Sequence, residues 1–465
     1  MPFSNLQIEP EVPGLPNPEG NAPSFLRFEA SGINLSIINA LRRAILADVQ
    51  TACALFDESG GGHGTVRFIK NTSVLNNEFI GHRLKQVPIA FDENQLFGYE
   101  RAQAVARRSG STVAVSSVIP YRFVLRAANT GDSVIDVTTA DISVTDASGA
   151  AIPKAERDML FPPSPVSGDH ILLARLKPRV GARVGAKGEE LHIEFTSELG
   201  SGNRRGATFS PVSICFFKNK IDRAAFDRTL ADVIDKAKAR EGGQQPVDED
   251  ALRRQHEALE GQRQYMKDEH GQPSAFEFIV KSETRLRPAY IVLAGFTVLI
   301  GKVKRFQRGI VEASASSGVA AFDFDVDADG SDVAPVRITA VPNIDDFYEV
   351  AVRGEDHTLG NLVQAMMFGR WVRDGESRDV SFIGYTQPHP QEDIIVFKIK
   401  LAKAGDDVRA RLVEGLVWLQ GHLADLREEW IGFSKLASVR DSRGLPLEAV
   451  AAARKTTMAE VVRRL

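Results

Sequence analysis

The chain has 465 residues, of which 43% are hydrophobic and 25% charged, with a formal net charge of −4. Such a length has room for about three domains, each able to bury its own core. The slightly acidic balance excludes a global basic field for gripping nucleic acid, so phosphate contacts would have to come mainly from partners.

Two cysteines, Cys53 and Cys215, are too few for a four-cysteine zinc site or a disulfide scaffold and fit a reducing compartment. The start of the chain lacks the pattern of a signal peptide, and the longest apolar stretch, Tyr290 to Ile300, is too short to span a bilayer. Residues 1–23 carry several prolines and little periodicity, which predicts an irregular lead-in. Ser24 to Ala30 alternates and predicts a strand. A helix is expected over 33–49, with Ile37, Leu41 and Ile45 on one apolar stripe and Arg42 and Arg43 off it, facing outward.

Residues 53–211 hold short strand-like runs, at 65–70, 111–127, 134–144, 171–176 and 190–196, separated by Gly, Asp, Ser and Pro clusters. One helix, near 75–86, interrupts them. Runs 212–218 and 275–282 read as the strands of a hairpin, and the charged stretch 221–270 between them as a solvated helical insertion. Pro288 opens a helix whose apolar face carries Val292, Leu299, Val303 and Phe306. Residues 311–340, rich in Ala, Ser, Gly and Asp, read as a linker with an acidic core at 322–330.

A second module follows: strand 347–352, helix 357–372, and strands 380–385 and 393–401. In that helix Leu359, Leu362, Val363, Met366 and Met367 form one buried face. The last helix, about 406–430, carries Val408, Leu412, Leu416, Leu419, Leu423, Leu426 and Trp430 at spacings that alternate between four and three, a helix-packing seam. A basic tail comes after Val439.

The order strand–helix–strand–strand–helix thus occurs twice, once split by an insert. Each unit is small and has helices with apolar faces, so two units facing each other would bury both seams in one core. This predicts an α+β chain folded as an internal pseudo-dimer. Its parts are a first module at 1–52 and 212–310, a mostly β insert at 53–211, a linker at 311–340, a second module at 341–440 and a tail at 441–465.

Chemistry-bearing residues read mostly as structural. Asp356, His357 and Thr358 sit where a helix needs an N-cap. Gly360 inside that helix suggests close approach of a neighbouring backbone. His389, between two prolines, reads as part of a rigid turn, and His63 as a glycine-loop residue. The loop beginning at Asp325 starts like a calcium loop but has Val336 where a glutamate is required. No nucleophile, paired-histidine or phosphate-loop pattern appears, which fits a scaffold.

Two ordered motifs carry a resemblance. The first begins at Asn34 (Asn-Leu-Ser-Ile-Ile-Asn-Ala-Leu-Arg-Arg) and the second at Gly354 (Gly-Glu-Asp-His-Thr-Leu-Gly-Asn-Leu). They resemble the helix signatures of the two alpha-like subunits of cellular RNA polymerases, the third and eleventh subunits of RNA polymerase II. Stretches 71–89, 206–212, 276–283 and 382–390 are similar to further family motifs in the same order, so the likeness covers most of 24–307 and 345–430.

With both signatures on one chain, the resemblance implies a fused, non-catalytic assembly platform of a DNA-directed RNA polymerase, with no cofactor. It also implies no metal, because the insert lacks the cysteine cluster of many cellular members. Its expected partners are the second-largest subunit on the first module's face and the largest on the second's, with small zinc-binding subunits nearby. DNA would be reached only through the complex, with no membrane and no homo-oligomer. By the same resemblance Asn39, Arg42 and Arg43, then Glu78, His82 and Arg83, then Asp356, His357, Thr358 and Asn361 belong to partner interfaces. The internal seam would comprise Val292, Leu299, Val303 and Phe306 with Leu412, Leu416, Leu419, Leu423 and Leu426. Fused versions are a feature of some large DNA viruses, which implies a viral source, work in the host cytoplasm or nucleus, and packaging in the virion as an option. The alternative is a stand-alone nucleic-acid-binding protein using Arg454, Lys455, Arg463 and Arg464 of the tail.

Overall fold

The computed structural model of the chain describes residues 2–10, 24–56, 65–96 (without 94), 121–178 (without 147, 165 and 166), 188–240, 248–315 (without 262), 334–373 and 379–434. His63, the first part of the run 111–127, the acidic linker core and the basic tail lie outside the described residues.

The first module opens with β1 (Phe3–Pro10), β2 (Ser24–Ser31) and α1 (Leu35–Ala47). The insert then runs through β3 (Thr51–Ala54), β4 (Val66–Asn71), α2 (Asn77–Lys85), β5 (Tyr121–Ala128), β6 (Ile135–Thr138) and β7 (Ile142–Asp146). It closes with α3 (Lys154–Leu160), β8 (Leu172–Leu176) and β9 (Glu190–Gly200). The chain returns as β10 (Val212–Asn219), passes through the helices α4 (Arg223–Arg240) and α5 (Glu249–Glu260), and completes the first module with β11 (Ala275–Ser282) and α6 (Pro288–Ala315). The second module is β12 (Val336–Ala340), β13 (Phe347–Arg353), α7 (His357–Met367), β14 (Val380–Thr386), β15 (Ile394–Leu401) and α8 (Val408–Ser434).

The two modules share one antiparallel topology, with strand orders β1-β2-β11-β10 and β12-β13-β15-β14. In each, the helix after the second strand and the long closing helix supply the apolar cover. The insert forms its own sheet, β3-β9-β5-β7, with β4 also on β9 and a separate β6–β8 pair.

Two of the four edge strands of these sheets, β1 and β12, depart from the expected organisation. The lead-in is not wholly irregular: β1 pairs with β2, Phe3 opposite Ala30, and Phe3 is buried. A register slip between Ser4 and Gln7, with Asn5 at φ 52°, breaks the alternation that would have revealed it. At the other module, β12 occupies the end of the stretch expected as linker and pairs with β13, Val336 opposite Val352. The helix α6 also runs to Ala315, past the expected linker start. The expected strand 134–144 is two strands, parted by a 3₁₀ turn that Thr138 and Asp141 cap reciprocally.

Helices α6 and α8 pack along one another. Val292, Leu299, Val303, Phe306, Leu412, Leu416, Leu419, Leu423 and Leu426 are all buried. At about 1.5–3 kcal/mol for each large apolar side chain taken from water, this seam outweighs anything a tether could contribute. It continues into both sheets. Phe306 stacks on Phe397 of β15 at 5.4 Å, and Trp430 of α8 lies against Phe28 of β2 at 4.6 Å between ring centroids. Among the described residues, no helix is long and apolar enough to cross a membrane.

Candidate partner interface and the junction between modules

The helix α1 begins at Asn34, whose side chain accepts from the Ser36 N–H at 2.8 Å, two residues after Gly32 at φ 70°. The start of α7 repeats the arrangement: Asp356 accepts from the Thr358 N–H at 2.8 Å, two residues after Gly354 at φ 74°. The two helices lie side by side across the junction, where the Asn361 Nδ2 donates to Ser36 Oγ at 3.3 Å.

Arg43 is not directed outward as its helix face suggested. Its Nε donates to Thr358 Oγ1 at 2.9 Å, and its Nη2 pairs with Asp356 Oδ2 at 3.0 Å. The second module lies beside that face of α1 and takes the guanidinium. Four of the expected external contacts, Arg43, Asp356, Thr358 and Asn361, therefore meet inside the chain. Arg42 remains half-buried on α1, its Nε donating to Asn39 Oδ1 at 3.1 Å.

Behind Arg43 lies a charge cluster that sequence reasoning missed. The Glu355 side chain is only 1% exposed and takes Lys302 Nζ at 3.0 Å and Arg305 Nη2 at 2.5 Å. Lys302, 8% exposed, also stands 3.6 Å from Asp48 Oδ1, and Asn203 Nδ2 donates to Asp48 at 3.4 Å. Burial works against the charge on Lys302, but Glu355, Asp48 and Asp356 together raise its pKa above the ordinary lysine value. For Asp48 burial wins over Lys302 and pushes the carboxyl up. Asp356 also resists burial: Thr358, Lys302 and Arg43 hold its carboxyl below the usual range. The one signal for this cluster was a lysine beside the apolar face that Leu299, Val303 and Phe306 mark.

The second expected contact element is α2. Asn76 caps it by accepting from the Phe79 N–H at 3.0 Å, with Glu78 in the first turn. Glu78, His82 and Arg83 are exposed; the His82 ring meets Phe56 edge-on at 5.8 Å, and Arg83 Nη1 donates to the Leu173 carbonyl at 3.1 Å. Beside them Phe79 of this helix is 63% exposed and Val74, in the bend before it, 64%, unusual for large apolar groups. His357 is exposed too, with Nδ1 3.2 Å from the Tyr385 hydroxyl. The neighbour that Gly360 admits is the Tyr385 ring, not a backbone: a Cβ at 360 would come within 2.5 Å of it.

Cys53 and Cys215 are buried free thiols, each pushed up to about 12 by burial, so neither offers a thiolate. Among the described residues no group of three or more His, Cys, Asp or Glu is placed to hold a metal ion. His389 sits in a turn where its Nδ1 accepts from the Gln391 N–H at 3.2 Å.

Comparison with known proteins agrees with this architecture. A family profile described as the RNA polymerase Rpb3/Rpb11 dimerisation domain matches residues 27–303, and a second profile of the same description matches 348–429. The chain is 39% identical over 74 residues to DNA-directed RNA polymerase II subunit rpb3 of Dictyostelium discoideum, which is 16% of this chain and 22% of that one. It is 23% identical over 315 residues to subunit 3 of DNA-directed RNA polymerases II, IV and V of Arabidopsis thaliana, 63% of this chain and 91% of that one. Its second half is similar to DNA-directed RNA polymerase subunit Rpo11 of Saccharolobus shibatae, 30% identical over 92 residues, 19% of this chain and 92% of that subunit. With both profiles matched in order, and with one topology repeated around a common seam, the chain belongs to the Rpb3/Rpb11 dimerisation-domain family of alpha-like, non-catalytic RNA polymerase subunits and joins a third-subunit-like and an eleventh-subunit-like half in one polypeptide.

Proposed function

We propose that this chain is the assembly platform of a multisubunit DNA-directed RNA polymerase, holding the second-largest subunit on its first module and the largest on its second, with small zinc-binding subunits docked nearby. The observation that carries this is that the two dimerisation modules satisfy each other. The seam helices are buried within one chain, while α2 keeps charged side chains and the large apolar Phe79 at the surface. Glu78, His82, Arg83 and Phe79 of that helix, with Asn39 and Arg42 of α1 and His357 of α7, are the groups offered to partners. Arg43, Asp356, Thr358 and Asn361 serve the partner surface indirectly, by fixing how the two modules lie. Fusion makes the pairing step intramolecular, so the platform forms independently of chain concentration. Its work is inside the cell, at the site of transcription, and a large DNA virus is the source this fusion fits.

The test is affinity purification of the tagged chain from its native source. Two much larger chains, recovered in equal amounts and active in DNA-templated RNA synthesis, are the expected result. A Glu78→Ala/Phe79→Ser/His82→Ala variant should fold normally but lose most of one of them. Recovery of the chain alone would overturn the reading.

A further inference from the structure

The repeated topology allows the two modules to be aligned position by position, and the alignment shows that their junction is symmetric in shape but not in charge. Gly32 and Gly354 share a positive φ before equivalent N-caps. Gly295 and Gly415 take the same place in α6 and α8, each where a neighbouring helix comes close. A Cβ at 295 would meet Leu41 and Ile45 of α1, and one at 415 would meet Met367 at the end of α7 and Trp371 just beyond it. Counting from the first pair of glycines, Ile33 corresponds to Glu355, Asn34 to Asp356, Arg43 to Ala365 and Asp48 to Arg370. Counting from the second pair, Lys302 corresponds to His422 and Arg305 to Asp425.

The two ends of the pseudo-twofold are therefore built from different chemistry. At one end Lys302, Arg305 and Arg43 of the first module meet Glu355 and Asp356 of the second. At the other end the first module presents the buried, apolar Ile33 and the uncharged Asn34. The second module's counterparts of Asp48 and Lys302 lie in a cation–aromatic stack, with Arg370 over the Trp418 ring at 4.8 Å and His422 parallel to that ring at 5.8 Å.

We propose that the Lys302–Arg305–Glu355 cluster, backed by Arg43–Asp356, is a pairing-specificity device that lets the two modules join each other and not their own kind. In a pair of first modules, Lys302 and Arg305 would face Ile33, and the buried ammonium would keep only Asp48 of its own module as an opposite charge. In a pair of second modules, Glu355 would face His422 and the like-charged Asp425, while Arg370 is already held over Trp418. A buried charge stripped of its partner is strongly unfavourable, so both like pairs are rejected while the mixed pair is satisfied. The partner this surface fits is thus the other module, from the same chain or from a second copy. The inference rests on the pairing of the modules and stands or falls separately from the polymerase assignment.

The experiment uses two full-length chains. One carries Glu355→Lys; the other carries Asp48→Asn/Lys302→Glu/Arg305→Gln. Alone, each buries like charges at its junction, and its pairing equilibrium should shift by a hundredfold or more. Native mass spectrometry with hydrogen exchange should show loss of the compact monomer and of protection in α6 and α8. Mixed, the two chains should form a 1:1 complex, because each then offers the other a complementary junction. One junction of that complex keeps the native Lys302–Glu355 pair, and the other holds its charge-reversed counterpart, K302E against E355K. A single chain carrying all four substitutions should return to a protected monomer, and it decides the matter where the separate variants aggregate. Wild-type monomer and protection in the separate variants would overturn the proposal, as would failure of both the mixture and the four-substitution chain to recover.

Discussion

Replacing Trp430 tests whether the two modules are one cooperative body. The side chain belongs to α8 of the second module, yet apart from Phe433 of its own helix the aromatic rings around it belong to the first. The ring lies 5.3 Å from Phe3 and 4.6 Å from Phe28, and its Nε1 donates to the Ala289 carbonyl at 2.9 Å. Trp430→Phe keeps most of the apolar volume and removes the hydrogen bond, for about 1 kcal/mol plus a small cavity term. Trp430→Ala empties a fully buried site and should cost about 3–5 kcal/mol. For a cooperative unit of about 250 residues that is roughly 6–10 °C in melting temperature. Differential scanning calorimetry gives the size of the loss, and hydrogen exchange gives its place. Protection should fall together in β1, β2 and α8, because the cavity opens between them. Loss confined to the second module, or equal effects of the Phe and Ala variants, would refute a shared core centred on this residue.

Two further outcomes follow from the junction. Gly415→Ala should destabilise by about 1–3 kcal/mol and more than Gly295→Ala, since the new methyl meets the Trp371 ring at 2.5 Å in one case and flexible Leu41 and Ile45 side chains at 2.9 Å in the other; equal melting temperatures for the two variants would contradict the packing. Stability should also fall at both ends of the pH range. Asp356 has a folded pKa below its unfolded one, so its contribution is present above about pH 4 and is lost as pH falls through the folded value. Lys302 has a raised pKa, so its contribution is complete below about pH 10 and disappears as pH rises through the folded value. Asp48, raised by burial, acts in the opposite sense to Asp356 and blunts the acid limb. The Asp356→Asn variant should flatten that limb in a melting series from about pH 3 to 6, and an unchanged limb would show that Asp356 does not create it.

What the sequence disclosed follows its periodicities. The stripe from Leu412 to Trp430 and the pairing of runs 212–218 and 275–282 were legible, because burial on one face imposes a spacing of about 3.6 or 2. The outer strands β1 and β12 were not. β1 carries a bulge, and β12 is a short strand with only partial burial attached to a polar stretch. The direction of Arg43 was illegible for another reason. Helical spacing tells which residues leave the stripe, but what stands opposite is a fact of tertiary structure, here a module 315 positions away at Thr358. Lys302 shows the same limit from the other side. A lysine beside an apolar stripe ordinarily snorkels to water, and Glu355 arriving from the second module, together with Asp48 of the first, makes its burial tolerable.

The division of labour at the junction can be argued from magnitudes. Buried ion pairs are often no more stabilising than apolar residues of the same volume, whereas breaking one costs about 3–5 kcal/mol. The Lys302–Glu355 cluster is therefore poorly suited to holding the modules together, a task the leucine-rich seam already performs, and well suited to discriminating among pairings. A covalent linker cannot supply that discrimination. It raises the local concentration of the correct partner, but modules on neighbouring chains remain free to meet, and their apolar seams would accept one another at little cost. Shape alone would also permit it, since Gly295 and Gly415 give both modules the same close helix crossing. Charge breaks the symmetry that the shared topology leaves intact. On the pairing proposed above, the seam supplies affinity, the linker proximity and the buried cluster identity.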